Sequence, residues 1–86
     1  MPQLSRFFGI IISMYFDDHD PPHFHARYNE FIAKIEIESL EVIKGELPSR
    51  VLGLVIEWAA DHKEGLMKDW GLMKEGKPML PISPLK

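Results

Sequence analysis

The stretch from His23 to Ile37 constrains the fold most, because an apolar alternation runs up to Asn29-Glu30 and resumes in mirror image after it. Asn29 tolerates the left-handed conformation that a two-residue turn demands, although Glu30 suits the second position less well than Gly. A two-residue loop fixes the pairing of His23–Tyr28 with Phe31–Ile37. Tyr28 then faces Phe31, Arg27 faces Ile32, Ala26 faces Ala33, His25 faces Lys34, Phe24 faces Ile35 and His23 faces Glu36. Side chains alternate across a strand, so two faces separate. Phe24, Ala26, Tyr28, Phe31, Ala33 and Ile35 form an apolar face. His23, His25, Arg27, Ile32, Lys34 and Glu36 form a mostly polar one. A slip of one residue would invert one strand and destroy that agreement.

Upstream, residues 2–6 read as a lead-in, and Phe7 to Phe16 as a strand apolar on both faces, which suits a central or doubly covered position. Gly9 within it marks a bulge or a close backbone approach. Asp17 to Pro22 must be a loop, since adjacent prolines donate nothing to a ladder and short acidic side chains favour turns. Leu40 to Ile43 suits a short further strand before a turn at Lys44-Gly45. Pro48 opens a helix, where its missing N–H costs nothing. Val51, Val55, Trp58 and His62 follow at helical spacing. Gly65 is expected to end or kink this helix, and Leu66 to Glu75 makes a second helical stretch, so residues 48–75 form one kinked helix or two. The tail from Lys77 to Lys86 carries Pro78, Pro81 and Pro84 between apolar residues. It is expected to be extended and to lie against its own sheet or a partner. The expected fold is therefore α+β: an N-terminal antiparallel sheet of three to four strands, packed against one or two C-terminal helices.

With 86 residues the chain fits one domain, 1–86, and its 45% hydrophobic and 27% charged composition is that of a globular protein. It contains no cysteine, which removes disulfides and thiolate zinc sites. No apolar run approaches the roughly 20 residues that span a bilayer, and no signal peptide is evident, so a cytoplasmic protein is expected. The net charge of −3 disfavours a broad basic nucleic-acid surface but leaves room for a local cationic site.

Chemistry concentrates between Asp17 and Lys34. His19, His23 and His25 lie within seven residues, among Asp17, Asp18 and Asp20. His23 and His25 are two apart on a strand, so their rings leave the same face. The loop could fold His19 or an aspartate toward them. Imidazoles and a carboxylate suit a divalent transition metal, with His19, His23, His25 and Asp17 as the candidate ligands. The same groups could instead transfer protons without metal: His23, His25 and His19 as acid and base, Arg27 and Lys34 on the same face holding a phosphate or an oxyanion. Lys34 opposite His25 opposes a bound cation, and Glu36 opposite His23 favours imidazolium, so the pairing suits a hydrogen-bonded polar cluster somewhat better than a closed metal cage. His62, beside Trp58 on the helix stripe, reads as a core histidine. It becomes a fourth candidate only if the helix covers the polar face. Glu57 and Asp61 read as solvated surface.

Several strings are together distinctive: Ser5-Arg6-Phe7-Phe8-Gly9-Ile10, Asp18-His19-x-Pro21-Pro22-His23-Phe24-His25-Ala26-x-Tyr28, Gly45-x-Leu47-Pro48, Glu57-Trp58-Ala59-x-x-His62 and Gly76-Lys77-Pro78. Across nearly the whole chain they resemble a bacterial family of short proteins known as domain of unknown function 4160. The resemblance implies no reaction. It implies a short stand-alone bacterial protein, often encoded beside another small protein in a layout like that of toxin–antitoxin pairs. Three readings follow. The first is an interaction module, paired with a small protein partner or a second copy, that uses the histidine face and the apolar tail. The second is a hydrolase or ribonuclease built on the His/Asp/Arg cluster. The third is a transition-metal-binding protein.

Overall fold

A computed structural model describes residues 3–85. Five strands, β1 (Gln3–Phe7), β2 (Ile10–Ser13), β3 (His23–Tyr28), β4 (Phe31–Glu36) and β5 (Val42–Gly45), precede two helices, α1 (Ser49–Asp61) and α2 (Lys63–Lys74). The strands form an antiparallel meander in the order β1-β2-β3-β4-β5. The β3–β4 register is the one expected, from Tyr28 opposite Phe31 to His23 opposite Glu36. Asn29 takes the positive φ, 54°, that the turn requires.

The N-terminal expectation needs correction. The apolar run is not one strand: Phe8 and Gly9 turn the chain at φ 50° and 78°, and Ser5 to Phe7, expected as lead-in or strand start, pair with Ile10 to Ile12. This hairpin supplies the fifth strand. Pro2, in the expected lead-in, lies outside the described residues. The turn resets the alternation, so Phe7, Ile10 and Ile12 share the buried face while Phe8 sits at the tip, 60% exposed. Two short apolar strands joined by a tight turn have the same local composition as one long apolar strand, and periodicity alone does not separate them. β5 lies two residues later than expected, with Lys44 and Gly45 inside it.

One face of the sheet is buried. Val51, Val55, Trp58 and Ala59 of α1 recur at helical spacing and join Phe7, Ile10, Ile12, Phe24, Ala26, Ala33 and Ile35 in one core. Trp58 is its centre, with ring centroids 5.3 Å from Phe7 and 6.0 Å from Phe24. The helical half is two helices, and the break falls at His62 (φ −126°, ψ 23°) rather than at Gly65, which lies inside α2. The His62 ring lies 5.3 Å from that of Trp58, so the stacked pair sits at the joint and a glycine is not needed to make the bend.

The tail packs on its own chain. Ile82 N–H donates to the Leu4 carbonyl (2.8 Å), Leu80 N–H to Asp69 Oδ1 (2.7 Å) and the Trp58 indole N–H to the Ser83 carbonyl (2.8 Å). Met79, Ile82 and Leu85 close over the core. No helix among the described residues is long and apolar enough to cross a membrane.

Candidate metal centre

Two features of local chain geometry build the site. The start of β3 projects His23 and His25 from the face opposite the α1 core, with ring centroids 5.2 Å apart. The loop before β3 closes tightly: Asp18 N–H donates to the Tyr15 carbonyl (3.0 Å), and Tyr15 N–H donates to Asp18 Oδ2 (3.0 Å). This paired turn leaves Asp18 Oδ1 aimed at the rings, 3.2 Å from His25 Nε2 and 3.6 Å from His23 Nε2. One donor atom each from Asp18, His23 and His25 falls within a 4.8 Å cluster.

The burial is deep for such a polar trio. The side chains of His23, Asp18 and His25 are 6%, 9% and 12% exposed. The Trp70 ring of α2 lies 5.2 Å from that of His23, and Tyr15 meets His25 edge-on at 4.5 Å. His23 Nδ1 lies 2.8 Å from the Pro21 carbonyl, which can only accept, so Nδ1 carries the proton. In the neutral ring Nε2 is then a bare lone pair, and it is buried without a hydrogen-bond partner. A lone pair and a carboxylate oxygen 3.6 Å apart, both out of water, repel unless a cation or a proton lies between them. A backbone carbonyl on the far nitrogen is also the usual way a metal-binding imidazole is oriented. Burial lowers the pKa of His25, against the opposing pull of its hydrogen bond to Asp18; His23 and Lys34 add to the lowering. A neutral ring is the form that can act as a ligand.

Beside the trio is an open cavity of about 420 Å³, lined by Asp17, Asp18, His19, Asp20, Pro21, His23, Lys34 and Ile43. It brings Lys34 to the site, as the β3–β4 pairing requires. Of the loop residues, Asp18 places a donor atom beside the two rings, whereas the expected candidates Asp17 and His19 are exposed on the cavity wall. The physical reason is the Tyr15–Asp18 turn, which points Oδ1 of the second aspartate inward. Arg27 shares the face with His25 but is outside the cavity lining. His62 packs on Trp58 and takes no part, because α1 covers the apolar face. Glu57 and Asp61 are exposed, as expected.

The model of a family described as Domain of unknown function (DUF4160) matches residues 9–71. The chain belongs to that family. The span shared with DUF4160 holds Asp18, His23, His25 and Lys34 together with Tyr15, Pro21 and Trp70, and leaves out β1 and the tail. No curated protein and no solved structure matches the chain. Of this candidate site, the two strand histidines are legible from their spacing. Asp18 was visible only as one of three neighbouring aspartates, and the spacing of Tyr15 three residues earlier was the available signal for a side chain turned back on the backbone.

Proposed function

We propose that this protein binds a divalent transition metal through Asp18, His23 and His25, with a coordination position left open toward the neighbouring cavity. One observation carries the reading: the buried His23 Nε2 has no partner, its tautomer is fixed by Pro21, and it stands beside a carboxylate oxygen. Two imidazoles and one carboxylate suit Zn, Fe(II) or Mn, and three protein ligands leave room for water or a small anion. Lys34 on the cavity wall would attract that anion.

Protein purified without an affinity tag and titrated with Zn²⁺ by calorimetry is expected to bind one equivalent. His23→Ala and Asp18→Asn are expected to lose that binding. Binding that both variants retain would overturn the reading. A wild-type protein that binds no metal would overturn it as well.

The two-protein reading now has the gene layout implied by the resemblance as its support. The apolar tail that also suggested it is satisfied within the chain. Co-purification with the neighbouring gene product tests it.

A further inference from the structure

The outer face of the sheet, away from α1, carries two cross-strand rows. The first runs Arg6, Ile11, Arg27, Ile32 and the second Ser13, His25, Lys34, Lys44. Arg6, Arg27, Ile32 and Lys44 are exposed, whereas the loop carrying Tyr15 and Asp18 covers Ser13 and His25. Four of the ten Lys and Arg side chains stand here, in a chain whose net charge is −3. Neither row contains an aspartate or glutamate. Asp18 lies on His25, Asp17 and Asp20 line the cavity that Lys34 borders, Glu36 is opposite His23, and Glu46 is one residue past β5.

Three cations elsewhere are engaged: Lys63 donates to the Glu38 carbonyl (2.8 Å), Lys74 lies 5.4 Å over the Trp70 ring, and Lys77 pairs with Glu75 (2.9 Å). Among the described residues no carboxylate pairs with any of the four on the sheet. Lys34 and Lys44 are moreover direct cross-strand partners. Like charges so placed destabilise a sheet, and an external anion relieves them.

We infer that this face binds a single strand of nucleic acid, its phosphates on Arg6, Arg27, Lys34 and Lys44 and its bases resting on Ile11 and Ile32. Cations along an open sheet track a nucleic-acid backbone without sequence preference, and the exposed Ile32 offers its bases an apolar contact. A flat anionic membrane would also meet the exposed Asp17, Asp20 and Glu46, so a narrow strand following the cations fits better. The inference stands on the cations alone and holds with or without a metal at Asp18.

Fluorescence anisotropy with a short labelled oligouridylate at low salt tests it. Arg27→Gln/Lys34→Gln is expected to weaken binding at least about tenfold and to reduce the salt slope by about 0.7 per cation removed. Lys63→Gln/Lys68→Gln, on the helices, is expected to bind as the wild type does. Circular dichroism melts establish that each variant folds. Absence of wild-type binding, equal loss in the helix variant, capture by phosphatidylserine vesicles without oligonucleotide binding, or abolition of binding by EDTA would each overturn the assignment.

Discussion

Pro21 holds His23 and Tyr15 holds Asp18 in an arrangement that neither would choose in water. The imidazole donates its Nδ1–H to the Pro21 carbonyl, and its remaining lone pair faces Asp18 Oδ1 at 3.6 Å. Asp18→Asn keeps an acceptor for Tyr15 N–H but removes the charge. It is expected to lower metal affinity by more than the about 10–100-fold that outer-shell changes cost, as read by competition with a chromogenic chelator. Asp69 is a second buried carboxylate, 1% exposed, with Oδ1 accepting from Leu80 N–H and Oδ2 unpartnered. Burial raises its pKa above the ordinary 3.8, against the Leu80 hydrogen bond and the Lys68 charge. The folded state therefore holds this proton more tightly than the unfolded chain does. Its contribution to stability falls as pH rises from the ordinary carboxylate range through the raised value. Asp69→Asn keeps the acceptor and removes the titration. Urea midpoints measured from about pH 4 to 7 are expected to decline less in Asp69→Asn than in the wild type; parallel profiles would contradict the assignment.

The hairpins differ in how well their turns suit their residues. Asn29 is a residue that accepts its positive φ, whereas Phe8, at φ 50°, is a bulky one that does not. Phe8→Asn would place Asn-Gly in the β1–β2 turn, the preferred pair for such a loop. It is expected to raise stability by roughly 0.5–1 kcal/mol in chemical denaturation. Gly45 is the opposite case. Its φ is 81°, and an added Cβ would lie 2.1 Å from the Ile32 carbonyl oxygen, so backbone must move. Gly45→Ala is expected to cost about 3 kcal/mol or more and to loosen β5, with amide exchange at Lys44 as the local readout.

At the scale of the molecule, a small domain gains stability from every segment that covers its core. Residues 79–85 cap Leu4 and Trp58 through two hydrogen bonds and the side chains of Met79, Ile82 and Leu85. Deleting them is expected to remove roughly 3–5 kcal/mol, a large share of what a domain of this size has, and to expose apolar surface that binds ANS. A ligand for the folded state acts in the other direction. Metal at 100 times its dissociation constant is expected to add about 2.7 kcal/mol, visible as a rise in melting temperature that Asp18→Asn lacks.

The residue order alone determined the β3–β4 register, the shared face of His23 and His25, the α1 stripe and the need to cover an apolar tail. Each follows from a period of two or 3.6 residues, or from a turn residue beside it, and such periods are local. The tertiary structure decided the rest. It split the first apolar run into a hairpin, set the helix break at His62, laid the tail on Leu4 and turned Asp18, not Asp17 or His19, toward the two histidine rings. It also gathered Arg6, Arg27, Lys34 and Lys44, which are scattered along the chain, onto one face of the sheet. These outcomes depend on which surfaces meet through space and on where a buried polar atom finds its partner, and no local period encodes either.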